Sequence, residues 1–178
     1  MIRRLFRGPS CRVGFADDQA GTCLGGEAAA RRARCGSRRR TRPLEVEVVA
    51  LGEDGEVTVP TLAEILRVKA YLVVQRNQVR DYLDVVALAE RTGPGEAVGV
   101  LASIDGYYVD RSGGPDSVLT ALIQRLAEPS PRDRAVTGQL SAYKGLDSRW
   151  HEWKAVTEAC GELAVALLDT VAGGREQR

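Results

Sequence analysis

A mainly helical α+β domain, one small β-hairpin followed by five or six helices over residues 44 to about 173, is predicted by three features of the sequence. Leu44, Val46 and Val48 alternate with Glu45 and Glu47, the two-residue period of a strand. Leu62, Ile65, Leu66, Leu72 and Val73 instead recur at helical spacing, as do Leu119, Leu122, Ile123 and Leu126 further on. Breaks rich in Gly and Pro, at Thr92-Gly93-Pro94-Gly95, at Pro129 and at Gly145, cut the remainder into segments of helical length.

The elements follow in order. The strand from Leu44 reads as half-buried, and Asp54-Gly55 supplies a hairpin turn into Val57-Thr58-Val59. Glu45 and Glu47 share one face of that strand. Such a pair can coordinate a metal, but the outward face of a hairpin carries the same pattern, and that reading is preferred. Pro60 ends the second strand, and Thr61 with Glu64 makes a capping box for the next helix.

Residues 61–91 are the most informative stretch. Lys69 lies in the middle of the apolar face, three and four residues from Ile65, Leu66, Leu72 and Val73, and Arg76 continues the line. After a break expected near Asn77, Asp81 and Asp84 project to one side of a second helix. Two readings stand side by side. Either a cation and two carboxylates converge on a site, or Lys69 reaches out to water while Asp81 caps the second helix.

Beyond the break at Thr92, Glu96 to Asp105 reads as a short helix closed by Gly106. Tyr107 and Tyr108 precede a polar turn from Arg111 to Asp116. Asp116 is expected to cap the Leu119 helix, which ends at Pro129 and Pro131, and a further helix is expected from Arg132 to Lys144. The last helix runs from Asp147 or Ser148 to about Ala172, with Trp150, Trp153, Val156, Cys160, Leu163, Leu167 and Val171 in one stripe that other helices or a partner must cover. Tyr143, Trp150 and Trp153 read as packing anchors, His151 as a boundary residue and Cys160 as an inert core thiol. Gly173-Gly174 ends the fold, leaving residues 174–178 as a tail.

The net charge of +1 hides a division within the chain. Residues 1–43 hold eleven Arg, no Lys and three acids, 11 − 3 = +8, so the rest carries 14 basic and 21 acidic side chains, or −7. The first segment has no sustained apolar period. It reads as unordered, or as the product of a wrong start or shifted frame, in preference to an RNA-binding arm. Cys11, Cys23 and Cys35 recur every twelve residues without a C-x-x-C pair or a nearby histidine, so neither zinc nor disulfides are expected. No signal peptide and no 18-residue apolar stretch is present, which points to a cytoplasmic protein without a membrane partner. The phosphate-loop, dinucleotide-binding, zinc-protease and nucleophile-elbow motifs do not occur.

The run Lys69-Ala70, Arg76, Arg80-Asp81-Tyr82-Leu83-Asp84 and Leu88, introduced by Val59-Pro60-Thr61-Leu62-Ala63-Glu64, resembles the second half of the AbiEii/AbiGii toxin family of nucleotidyltransferases. The resemblance covers thirty-odd residues and implies a truncated polymerase-β-type fold. It further implies transfer of a nucleotide from an NTP to RNA, such as a tRNA, within a toxin-antitoxin system that supplies a protein antitoxin. By the same resemblance, Lys69 would bind the triphosphate with Arg76 and Arg80 in support, and Asp81 or Asp84 would be catalytic. The family's first motif, a Gly-Ser turn and an Asp-x-Asp strand for Mg²⁺, has no counterpart. Gly36-Ser37 and Glu45-Val46-Glu47 are the nearest substitutes, seven residues apart, with Glu45 and Glu47 as the candidate metal ligands.

Three functions follow as expectations. The first is a nucleotidyltransferase-like protein whose activity depends on whether Glu45 and Glu47 replace the missing pair. The second is a non-catalytic helical interaction module in which Lys69, Arg76, Asp81 and Asp84 form a buried ion-pair network fixing the helix pair and the C-terminal stripe binds an antitoxin-like or self partner. The third is RNA binding through the Arg-rich start.

Overall fold

The computed structural model describes residues 40–52, 55–108 and 117–176, with side chains to residue 173. All belong to one compact unit that begins at Arg38. The readings placed on residues 1–39, the three early cysteines among them, lie outside the described residues.

The predicted class holds: a two-stranded antiparallel hairpin precedes a helical body. Strands β1 (Val46–Ala50) and β2 (Glu56–Pro60) pair in the register Val46 to Pro60 through Ala50 to Glu56. The helices are α1 (Leu62–Gln75), α2 (Val79–Thr92), α3 (Pro94–Ala102), α4 (Val118–Ala127) and α5 (Trp153–Glu176). Three 3₁₀ segments, Ile104–Gly106, Arg134–Ala142 and Ser148–Trp150, link them. One apolar core joins Leu66, Ala70 and Val73 of α1 to Tyr82 and Val86 of α2, Leu101 of α3, Leu122 and Leu126 of α4, and Val156, Cys160 and Leu167 of α5.

The break expected near Asn77 is the hub of this body. Asn77 adopts φ 54°, a left-handed conformation that asparagine tolerates better than most residues. Its buried side chain accepts from the Tyr82 hydroxyl at 2.6 Å and donates to the Ser130 carbonyl at 2.8 Å, while its own carbonyl accepts from Arg132 N at 2.8 Å. Asp133 in turn accepts from Val79 N at 2.8 Å. The Pro129–Pro131 turn is thereby locked onto the start of α2. These four bonds give partners to the Asn77 amide and carbonyl and to the Val79 N–H at the tight joint.

Four local expectations are corrected. The hairpin is not half-buried: every residue of β1 is exposed, and Val48 is 61% accessible. Its alternating pattern gives the right local conformation, but among the described residues no second layer covers it. The helix expected from Glu96 starts earlier, with Pro94 at its first position, and Ser103 breaks it before the Ile104 turn. The helix expected over residues 132–144 is a 3₁₀ stretch kinked at Gln139, in a sequence whose Val136, Thr137 and Gly138 are poor helix formers. The final helix begins at Trp153, because Asp147 accepts from Arg149 N at 3.0 Å and closes a separate 3₁₀ turn before it. That helix also continues through Gly173-Gly174 to Glu176. Asp116, the expected cap of α4, lies outside the described residues; Ser117 fills the role, accepting from Thr120 N.

Among the described residues no helix is long and apolar enough to cross a membrane.

Candidate functional site

Apart from Glu47, the site residues singled out in the sequence fall into two separate clusters. The first sits where α1 meets α2. Lys69 Nζ donates to Asp84 Oδ2 at 2.7 Å, and Arg80 Nε approaches the same oxygen at 3.9 Å. Arg76 donates to Asp81 Oδ1 at 2.6 Å, and Asp81 Oδ2 accepts from Gln78 N at 3.3 Å. Helical spacing thus brings the cations and carboxylates together, but onto one another. Lys69 and Asp84 are each less than one-third accessible, whereas the Asp81 carboxylate is fully buried. Asp81 completes the first turn of α2 and neutralises the Arg76 guanidinium at the end of α1 in one stroke.

The second cluster ties the hairpin to the helical body, and only Glu45 and the helix-capping Glu64 of it were singled out from the sequence. The Glu64 carboxylate is fully buried on the first turn of α1. Thr61 caps that turn as expected, accepting from Glu64 N at 3.1 Å. The Glu64 side chain, however, turns inward instead of completing a reciprocal capping box. Both its oxygens bind the Arg40 guanidinium, and Oε2 also accepts from Arg67 at 3.0 Å. Arg67 reaches on to Glu45 Oε2 at 2.8 Å, and the Tyr107 hydroxyl donates to Glu45 Oε1.

Aromatic rings close the cluster. The Arg67 guanidinium lies 4.0 Å from the Tyr107 ring centre, and Tyr108 stacks on Tyr71 at 4.2 Å. The Tyr107 hydrogen bond, followed by that from Arg67, holds the Glu45 carboxyl below its ordinary range. The hydrogen bond to Glu64 raises Arg40 above its already high value, so the guanidinium stays charged. Burial raises the Tyr108 phenol. A sequence signal existed for Glu64 with Arg67, three apart on one helix, but none for Arg40 and Tyr107, which arrive from distant segments.

This arrangement does not form the carboxylate pair that two-metal chemistry needs. Glu45 is engaged by Tyr107 and Arg67, while Glu47, two residues along β1, stands exposed in solvent. Among the described residues no group of three or more His, Cys, Asp or Glu side chains could hold a metal ion. A cleft of about 250 Å³ between α2, α3 and α5 is lined by Val86, Pro94, Val98, Trp150 and Leu163, with the Glu90–Arg149 ion pair at its rim. It falls short of the ~300–1,000 Å³ usual for small-molecule sites, and of its three charged lining residues, Glu90, Arg149 and Glu162, the first two are paired with each other.

Similarity to known proteins leads elsewhere than the nucleotidyltransferases. Over 138 residues, 78% of this chain, it is 38% identical to the "Probable transport protein MmpL11" of Mycobacterium bovis and to the "Heme uptake protein MmpL11" of Mycobacterium tuberculosis. The "Mycolic acid-containing lipids exporter MmpL11" of Mycolicibacterium smegmatis is 35% identical over 130 residues, 73% of the chain. The chain spans only 13–14% of the length of these relatives. No family model and no solved structure matches.

These relatives overturn the resemblance to AbiEii/AbiGii toxins, and with it the expectation of nucleotidyl transfer in a toxin-antitoxin system. The motif that carried it is short. Its Lys, Arg and Asp recur at helical spacing, and in this structure the same spacing closes the ion pairs of a helix joint.

Proposed function

We propose that this chain is a water-facing, non-catalytic module of a transport protein of the MmpL11 kind, placed on the cytoplasmic side of the membrane. The similarity over 138 residues carries this reading, because it joins most of the chain to a small part of proteins named for transport. The absence of a membrane-crossing helix among the described residues supports a place outside the bilayer. The engaged charges of both clusters support a structural role, since Lys69, Arg76, Arg40 and Arg67 are already bound to carboxylates.

In this role the helical body acts as a rigid mount. The Glu64 cluster fixes the direction in which the hairpin leaves it, and the module influences a transporter by holding that hairpin in place.

A segment exchange tests the reading. The matching segment of the Mycolicibacterium smegmatis relative is deleted, or replaced by residues 40–176 of this chain, and export of mycolic acid-containing lipids is measured with membrane insertion monitored in parallel. Deletion is expected to impair export without abolishing insertion, and the replacement to restore it. Unimpaired export after deletion would refute the proposal.

A further inference from the structure

Six of the eight large apolar side chains exposed among the described residues lie between Leu44 and Val57, on or beside the hairpin. Leu44, Val46 and Val48 form one face, at 54%, 51% and 61% accessible, and nothing in the helical body covers it. Scattered exposed apolar residues are ordinary, but a contiguous set on a two-stranded sheet marks a surface built for contact.

The two edges of this sheet are not equivalent. Thr61 N donates to the Glu45 carbonyl and Leu51 N to the Gly55 carbonyl, which sets the alternation of the ladder. The backbone groups of Glu45, Glu47, Val49 and Leu51 therefore face β2, and those of Val46, Val48 and Ala50 point outward. On β2 the outward positions are Glu56, Thr58 and Pro60, and Pro60 has no N–H to give. The β1 edge offers a complete row of donors and acceptors, and the β2 edge does not.

Charge defines what can add there. The seventeen residues from Leu44 to Pro60 carry five acids, Glu45, Glu47, Glu53, Asp54 and Glu56, and no Lys or Arg. Glu45 is neutralised from within by Arg67, and among the described residues no ion pair engages Glu47 beside the open edge. A strand laid along β1 would meet Val46 and Val48 on one face and Glu47 beside Val49 on the other.

We propose that the β1 edge binds an extended, basic segment of a partner polypeptide as a third strand, with apolar side chains on Val46 and Val48 and a Lys or Arg against Glu47. Acidic charge disfavours a second copy of the same hairpin and an anionic lipid surface alike. Backbone pairing supplies affinity, and the alternation of apolar and basic side chains supplies register. The proposal is independent of any role in transport.

The test uses the full chain with a capped ten-residue peptide alternating valine and arginine, and a control in which glutamate replaces arginine. Saturable binding of the basic peptide is expected, several-fold weaker at high salt, with the Val46, Val48 and Ala50 amides protected from hydrogen exchange and those of Glu56 and Thr58 unchanged. Val48→Lys, at an exposed position, should weaken binding about tenfold while leaving the circular dichroism of the helical body intact. Glu47→Gln should remove most of the salt dependence. Equal binding of the acidic peptide, protection at the β2 edge, self-association abolished by Val48→Lys, or uptake onto anionic vesicles in place of peptide binding would each overturn the proposal.

Discussion

Arg76 and Asp81 form a 2.6 Å ion pair across the Asn77 joint, one partner half-exposed at the end of α1 and the other fully buried in the first turn of α2. The asymmetry matters more than the distance. Removing Arg76 leaves a carboxylate that still accepts from Gln78 N, whereas removing Asp81 opens the cap and the joint together. Asp81→Ala is therefore expected to cost about 2–4 kcal/mol, within the range for lost caps and broken buried pairs. Lys69→Met, whose partner Asp84 is partly solvated, should cost under about 1 kcal/mol and leave a folded protein. Urea unfolding of the two variants separates the values.

Glu64 is the charge on which the hairpin's attachment depends. Glu64→Gln leaves two guanidinium groups facing a neutral amide in a site where the native carboxylate is inaccessible. A loss of about 3 kcal/mol is expected. Hydrogen exchange should also quicken at Thr41, whose N–H bonds the Tyr107 carbonyl at 2.8 Å, before it does in α4 and α5. Uniform quickening across the whole chain would show that the cluster supports the body and not the attachment.

Acid should loosen the same attachment. The Glu45 carboxyl is held below its ordinary value, first by Tyr107 and then by Arg67, so the folded state binds the proton less readily than the unfolded one. Its contribution is present above the unfolded carboxylate range and is lost as pH falls through the depressed folded value. A pH series of unfolding midpoints should show the drop below about pH 4.5, and Glu45→Gln should flatten it.

Alkali should act on the core. Burial pushes the Tyr82 phenol up to about 12 and the Cys160 thiol up to about 12. Both groups stay protonated in the folded state while their unfolded counterparts ionise, so stability declines as pH rises from about 9 toward 12. Peptide mapping after iodoacetamide treatment at pH 8 should find Cys160 unmodified in the native protein and alkylated in urea.

The secondary structure was legible wherever the signal was local. Thr61 as a cap, the break at Asn77 and the α4 stripe all depend on residues a few positions apart, and the chain folds there as the spacing predicts. The Arg76–Asp81 pair, five residues apart, was legible for the same reason, and the Lys69–Asp84 pair because the break at Asn77 folds two adjacent helices against each other. Their meaning was not, because one helical spacing serves a ligand site and a helix joint equally well. Arg40 and Tyr107 were hidden by distance along the chain, at separations of 24 residues from Glu64 and 62 from Glu45. The exposure of β1 was hidden because an alternating strand carries the same pattern whether or not a second layer comes to meet it.

Pro60 gives the hairpin a direction of growth. A sheet open on both sides can recruit strand after strand and run on into a fibre, each newcomer becoming the template for the next. With one of its three outward donors missing at Pro60, the β2 side is the poorer template, and the β1 side is the better one. The exposed valines of β1 thus cost the protein less in aggregation than their accessibility suggests: a growing stack needs two good edges, and a single imino acid weakens one of them.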